Sequence, residues 1–192
     1  MRGSAAFLFV LVWMSCSAAQ GAAQRAPADG LESFTAWLDR AHPGYRCDEG
    51  PARFRNPTVD AAYTGRRFYY VLTYTRGMRP RFENEVSVVA HVDENANVTP
   101  LHPSSVAAYR PGLRKVSTAK QARQAAAAVL VLAMGDPGER RWTFQEGRFT
   151  VKSDKKGWVA TYRHNDANHT SQVTFDRDGW LSTISLNPPP VP

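Results

Sequence analysis

Cysteine is scarce in this sequence, which carries only Cys16 and Cys47 among its 192 residues. If Cys16 leaves with an N-terminal leader, Cys47 has no internal partner, and a fold held by disulfides is excluded. We interpret Cys47 as a buried or unpaired thiol, with pairing to another chain or a role as nucleophile left open. Lipidation of Cys16 is the less favoured alternative, because Trp13 and Met14 precede it where small or aliphatic residues are required.

The sequence also lacks an apolar run long enough to span a membrane. The run at residues 5 to 14 follows Arg2 and precedes several small residues, and a spanning helix needs about 20 apolar residues. This pattern is typical of a secretory signal peptide. We predict a signal peptide over residues 1 to 19, a linker over residues 20 to 28, and a secreted or periplasmic protein.

Signatures of common enzymes are missing as well. The sequence contains no HExxH, no GxSxG and no glycine-rich phosphate loop. His164 and His169 flank a polar tip and have no evident third ligand, so we interpret them as part of a solvated loop instead of a metal site. We therefore predict no enzymatic activity, no metal and no cofactor.

Two acidic turns resemble calcium loops only in part. Residues 93 to 97 read DENAN, but Val98 stands where a calcium loop requires glycine and Ser104 where it requires glutamate. Residues 176 to 179 read DRDG, which suits a tight turn. Both are interpreted as hairpin turns. Asn97 also fits a glycan acceptor, as does Asn168, if the source is eukaryotic.

Positive charge exceeds negative charge, with a formal net charge of +7. Loss of Arg2 with the leader would lower this to +6. Such a balance favours anionic partners, and export makes nucleic acid the least favoured of them. One region is dense in arginine and aromatic residues, and it supplies the candidate binding residues Arg66, Arg67, Arg76, Arg79, Arg81 and Phe82. The alternative is that these arginines protect a strand edge from aggregation.

The apolar pattern predicts two helices and two groups of strands. Leu31, Phe34 and Leu38 lie at helical spacing within residues 29 to 41, and Thr118 with Gln121 opens a second helix that runs to Met134. The last turns of the second helix are apolar all round, so it needs cover on more than one face. Residues 45 to 65 show no clear period and are predicted to form a loop with a short edge strand.

The strand groups that follow the two helices are similar to each other. YVLTY at residues 70 to 74 matches WVATY at residues 158 to 162, which sets Tyr74 against Tyr162. Further on, Asp93 matches Asp176, with apolar residues at matching places on either side. A helix followed by three or four antiparallel strands is therefore predicted twice.

The second copy resembles the PepSY-like family, through residues Trp158, Val159, Tyr162, Val173, Phe175, Asp176, Gly179, Leu181 and Ile184. It is similar more loosely to the cystatin-like arrangement, although the QxVxG loop is missing. The first copy has Ala96 where the family has glycine. The resemblance implies an exported, non-enzymatic module, in some relatives tied to secreted peptidases.

Together these observations predict an α+β protein with two tandem units, each one helix on an antiparallel sheet of three to four strands. The units cover residues 29 to 113 and 114 to 187, and residues 188 to 192 form a Pro-rich tail. The predicted function is binding of a secreted protein or peptide, with peptidase inhibition or association as one form of it. The alternatives are an envelope hydrolase of α+β fold and a binder of anionic glycan or lipid surfaces.

Overall fold

The computed structural model describes residues 30–43, 45–46, 50–75, 86–134, 148–164 and 169–186. The predicted signal peptide, linker and Pro-rich tail lie outside these residues, as do Cys47 and Asn168. The described helices are α1 (Gly30–Ala41), α2 (Pro57–Ala62), α3 (Val106–Tyr109) and α4 (Ala119–Ala133). The described strands are β1 (Tyr45–Arg46), β2 (Ala52–Arg53), β3 (Arg67–Thr75), β4 (Val86–Val92), β5 (Val98–Pro100), β6 (Phe149–Asp154), β7 (Gly157–Arg163), β8 (Thr170–Asp176) and β9 (Leu181–Ser185).

The strands form two antiparallel sheets, one in each half of the chain. In the first sheet β3 pairs with β4 and β4 with β5, while the two-residue strands β1 and β2 pair with different parts of β3. The second sheet is a meander in the order β6-β7-β8-β9. One long helix precedes each sheet, α1 the first and α4 the second. The predicted α+β architecture of two helix-plus-sheet units is confirmed.

Helix α1 covers one face of the first sheet. Phe34 and Leu38 of α1 pack into a buried cluster with Tyr69 and Val71 of β3 and with Ala90 of β4. The ring of Phe34 stacks on that of Tyr69 at 6.0 Å between centroids. Because side chains alternate along a strand, the neighbouring residues of β3 and β4 face the opposite side.

Helix α4 lies in the main core, between the two halves. Phe68 and Val89, on the far face of the first sheet, share one buried cluster with α4 and with Val173 and Phe175 of the second sheet. Every residue of α4 from 125 to 133 is buried. The expectation that this apolar helix needs cover on more than one face is confirmed. Helix α4 is next to α2 of the first half and next to β6, β7 and β8 of the second sheet.

Helix α2 corrects the prediction of a loop between residues 45 and 65. Asn56 caps it, since its Oδ1 accepts hydrogen bonds from the backbone N–H of Thr58 at 2.9 Å and of Val59 at 3.4 Å. Pro57 occupies the first turn, where its missing N–H costs no hydrogen bond. Val59 is buried in the same core as α4. The predicted short edge strand in this region is present as β2.

The turns β4–β5 and β8–β9 have the same hydrogen-bond pattern. At the first, the N–H of Asp93 donates to the carbonyl of Asn97 at 3.1 Å, and at the second the N–H of Asp176 donates to that of Trp180 at 2.8 Å. The third residue after each aspartate has positive φ, 64° at Ala96 and 82° at Gly179. Both predicted hairpin turns are confirmed.

The strand register corrects one part of the sequence alignment between the halves. Arg67 lies opposite Val92, just before the first turn, and Trp158 lies opposite Phe175, just before the second. Arg67 therefore corresponds to Trp158.

By the same count Tyr162 corresponds to Val71, and the match of Tyr162 with Tyr74 is wrong. The corrected pairing is consistent with the packing, because Val71 faces α1 and Tyr162 lies in the core of α4. The connection between β3 and β4 is longer than that between β7 and β8. Because of this difference in length, an alignment based on sequence similarity alone paired the wrong residues of β3 and β7.

Candidate anion-binding surface

Two of the six predicted binding residues lie in the described part of the chain. Arg66 immediately precedes β3 and is half-buried, and Arg67 begins β3 and is exposed. The other four residues of the prediction, Arg76, Arg79, Arg81 and Phe82, lie outside the described residues. The candidate site therefore consists of Arg66 and the residues that surround it.

A distant segment, residues 110 to 116, packs along residues 62 to 66. The N–H of Thr64 donates to the carbonyl of Gly112 at 2.8 Å, and the N–H of Arg114 donates to the carbonyl of Ala62 at 3.0 Å. The side chain of Arg114 is also fixed, because its Nε donates to Oγ1 of Thr64 at 3.2 Å. These bonds place Arg114 beside the start of β3.

Gly112 allows the side chain of Arg66 to lie against this segment. A Cβ atom at Gly112 would stand 2.5 Å from Cγ of Arg66, and the backbone of Gly112 has φ of 77°, a conformation that favours glycine. The segment thus lets a second cation lie close to Arg114. We call Arg66, Arg110, Arg114 and Lys115 the basic surface; all but Arg66 are exposed.

The basic surface continues onto the turn between β8 and β9. Nε of Arg110 donates to the carbonyl of Leu181 at 2.8 Å, and the N–H of Val116 donates to the carbonyl of Gly179 at 3.0 Å. Nζ of Lys115 lies 5.7 Å from the ring centroid of Trp180, within range of a cation–π interaction. The second half of the protein therefore contributes to the same surface.

One acidic group close enough to Arg66 to feel its charge, Asp93, is engaged in turn hydrogen bonds. Oδ2 of Asp93 accepts from Nδ2 of Asn97 at 3.0 Å, and its Oδ1 accepts from the N–H groups of Asn95 and Asn97 at 2.9 Å each. The side-chain bond from Asn97 is the main cause that lowers the pKa of Asp93, and Arg66 lowers it further. The carboxylate of Asp93 is thus held in its charged form as part of the turn.

His91 lies on the core side of β4. It is 4% exposed, its ring meets that of Phe68 edge-on at 6.3 Å, and neither ring nitrogen has a hydrogen-bond partner among the described residues. Burial lowers the pKa of His91, and the positive charge of Arg66 lowers it further, while Asp93 acts in the opposite direction. His91 is therefore neutral near pH 7 and contributes no charge to the basic surface.

His164 corrects the prediction of a solvated loop. It is 5% exposed, packs edge-on against Tyr162 at 5.1 Å between ring centroids, and its Nε2 lies 2.8 Å from Oγ of Ser171. Burial lowers the pKa of His164, and the charge of His169 adds to the effect. A serine and a histidine at this distance resemble a nucleophile and its base. Ser171 is only 1% exposed, however, so its hydroxyl lies in the core.

The described part of the chain holds no group of three or more His, Cys, Asp or Glu side chains arranged to bind a metal ion. Within the same residues, every helix is too short or too polar to cross a membrane.

Comparison of the chain with protein-family models, with curated proteins and with solved structures finds no match. The resemblance to the PepSY-like family stays a prediction from the residues that carry it.

Sequence reasoning missed Arg110, Arg114, Lys115 and Trp180 as members of one surface. A local signal exists, because residues 110 to 115 read RPGLRK and combine a turn-forming Pro-Gly pair with three cations. Their closeness to Arg66 depends on the pairing of Thr64 with Gly112, which no local pattern indicates.

Proposed function

We propose that the protein is an exported binding module without enzymatic activity, and that it attracts a negatively charged extracellular partner to the basic surface. The observation that carries this proposal is the packing of residues 110 to 116 along residues 62 to 66. It brings Arg66 against the segment that carries the neighbouring residues Arg114 and Lys115, from which Arg66 is far removed in the sequence.

Gathered cations attract an anion more strongly than the same cations dispersed over the surface. Charges farther apart than the Debye length, about 8 Å at physiological salt, are screened from one another. Two arginines of the basic surface are also fixed by hydrogen bonds, Arg110 to Leu181 and Arg114 to Thr64. Less side-chain entropy is then lost when they meet an anion.

The class of partner follows from the same electrostatic argument. A secreted protein or peptide suits the site if it presents an acidic surface, and a secreted peptidase is the case that the PepSY-like resemblance implies. An acidic polymer of the cell envelope suits it equally. A hydrolase is less well supported, since a nucleophile must be reached by substrate and Ser171 is buried.

Affinity capture from the protein's own extracellular fraction tests this proposal. The bait is the secreted protein, compared with the double variant Arg66→Gln/Arg114→Gln. A matched control, Lys152→Gln/Arg163→Gln, removes the same charge from exposed positions on the second sheet. We expect the partner to be retained by wild type and by the control, to be reduced with the first variant, and to be released by raised salt.

Equal retention by all three proteins would overturn the proposal, and so would a partner that resists high salt. Recovery of a peptidase that is lost with Arg66→Gln/Arg114→Gln would identify the partner as a protein with an acidic face. Recovery of polysaccharide alone would identify an envelope polymer.

A further inference from the structure

Trp180 is the one large apolar side chain in the described part of the chain that is exposed, with 44% of its surface accessible. It lies beside the basic surface, because Lys115 is over its ring and Arg110 bonds to the carbonyl of the next residue, Leu181. An exposed indole and two cationic side chains therefore meet at one place on the surface.

The turn itself does not require a tryptophan. Asn97 occupies the equivalent place in the first half, and its N–H donates to Oδ1 of Asp93 at 2.9 Å just as the N–H of Trp180 donates to Oδ1 of Asp176 at 2.9 Å. Asparagine and tryptophan thus serve the same backbone geometry. The indole of Trp180 is an addition that the fold of the turn leaves unexplained.

The turn also holds Trp180 in a fixed position. The N–H of Val116 donates to the carbonyl of Gly179 at 3.0 Å, and a Cβ atom at Gly179 would collide with the carbonyl oxygen of Val116. Oδ1 of Asp176 accepts hydrogen bonds from the N–H groups of Asp178 and Trp180. The backbone that carries the indole is therefore fixed, so no backbone entropy has to be lost there when a ligand stacks on the ring.

We infer that Trp180, Lys115 and Arg110 form a site for an acidic carbohydrate, a chain of uronic acids or of sulfated sugars. The inference rests on the proposed function, because the basic surface supplies the attraction. The face of an indole carries partial negative charge, which attracts the polarised C–H bonds on one face of a sugar ring. The carboxylate or sulfate of the sugar then accepts charge-assisted hydrogen bonds from Lys115 or Arg110.

The size of the apolar patch favours a sugar over a protein at this position. Stable protein interfaces bury about 1,200 to 2,000 Å² and use several apolar anchors, whereas Trp180 is a single indole. A lipid bilayer is also disfavoured. A single exposed indole, on a turn that is packed down on Val116, offers little apolar surface for insertion into a bilayer.

Binding to defined polymers tests the inference, with the protein purified after secretion under its own leader. The probes are polygalacturonate, chondroitin sulfate, neutral dextran, and vesicles that contain phosphatidylglycerol. The variants are Trp180→Asn, which installs the residue of the equivalent turn without changing the charge, and Lys115→Gln. We expect at least one acidic polymer to bind better than dextran and to change the tryptophan fluorescence, and we expect Trp180→Asn to weaken that binding about tenfold or more.

The thermal unfolding midpoint of Trp180→Asn is expected to stay close to that of wild type, which separates loss of binding from loss of fold. If Trp180→Asn unfolds, Lys115→Gln and the fluorescence change in wild type still decide the question.

Unchanged binding by folded Trp180→Asn, together with weaker binding by Arg66→Gln/Arg114→Gln, overturns the inference and leaves the proposed function standing. Binding to vesicles in preference to both acidic polymers overturns it in favour of a lipid surface. A partner in the capture experiment that is a protein, with no affinity for either acidic polymer, also overturns it. If no acidic probe binds better than dextran and the capture experiment fails as well, both proposals are wrong.

Discussion

Asp93 and Asp176 make the same pair of hydrogen bonds in the two halves of the chain. Oδ1 of each accepts from the backbone N–H groups two and four residues ahead, at 2.9 Å in all four cases. The pattern fixes two turns of one geometry at the same place in two sheets of the same strand order. The halves can therefore serve as internal controls for each other.

The first prediction concerns the residue with positive φ in each turn. Ala96 adopts φ of 64°, whereas its counterpart is Gly179. A left-handed backbone conformation destabilises a residue that has a Cβ atom by about 1 kcal/mol or more. Glycine avoids this strain, but it also raises the conformational entropy of the unfolded chain, which cancels part of the gain. We expect Ala96→Gly to raise the free energy of unfolding by about 0.5 kcal/mol, measured by urea denaturation.

Gly179→Ala is the matched opposite. It adds the same backbone strain and a collision with the carbonyl of Val116. We therefore expect the free energy of unfolding to fall by about 2 kcal/mol or more. A stabilising effect of Gly179→Ala, or a destabilising effect of Ala96→Gly, would mean that the two turns are not equivalent.

The second prediction concerns the dependence of stability on pH through His91. Burial lowers the pKa of His91 in the folded protein. As the pH falls, His91 is therefore protonated in the unfolded chain first, near pH 6.5. The free energy of unfolding should therefore fall as the pH drops below about 6.5. We expect His91→Phe to reduce the difference between the urea midpoints at pH 8 and pH 5.

At pH 8, His91→Phe should lower the free energy of unfolding only slightly. Neither ring nitrogen of His91 has a hydrogen-bond partner among the described residues, so the substitution breaks no hydrogen bond there. Part of the acid sensitivity should survive in the variant, since burial lowers the pKa of His164 in the same direction. An unchanged pH dependence in His91→Phe would show that His91 is charged in the folded protein or is not buried.

The third prediction separates a structural serine from a catalytic one. Ser171 is buried and bonds to His164, so Ser171→Ala should lower the free energy of unfolding by about 1 kcal/mol. The folded wild-type protein should not react with a serine-directed phosphonate. Mass spectrometry that finds the label on Ser171 under native conditions would support the hydrolase alternative.

The fourth prediction tests the layered core. Ala126 and Ala128 of α4 are fully buried between the two halves, where a larger side chain has no room. We expect Ala126→Leu to destabilise the protein by about 1 to 3 kcal/mol in thermal or urea unfolding. Gln124→Leu, at an exposed position of the same helix, should change stability by about 0.5 kcal/mol or less. Equal effects of the two substitutions would contradict the position of α4 in the core.

The elements predicted well from the sequence are those with a long apolar pattern. The all-round apolar stretch of α4 indicated a helix with cover on more than one face, and the packing of α4 against α2 and against the second sheet explains it. Helix α2 was missed because its 6 residues are too few to show a helical period. Asn56 followed by Pro57 was the available start signal.

The relation between distant segments could not be predicted in the same way. The letters YVLTY and WVATY suggested a pairing of Tyr74 with Tyr162, yet strand register depends on hydrogen bonding to β4 and β8, which sequence letters do not record. The basic surface depends likewise on the bond between Thr64 and Gly112. Four of the six residues predicted for the arginine region lie outside the described residues, and Arg110, Arg114, Lys115 and Trp180 come from segments where no binding site was predicted.

The most direct test of the binding surface is the salt concentration that elutes the protein from immobilised dextran sulfate. Three proteins are compared: wild type, Arg66→Gln/Arg114→Gln, and Lys152→Gln/Arg163→Gln, the last two with equal net charge. If the basic surface is the binding site, Arg66→Gln/Arg114→Gln elutes at clearly lower salt than the other two, which elute close together. If the two double variants shift by the same amount, binding depends only on net charge, and a specific basic surface is contradicted.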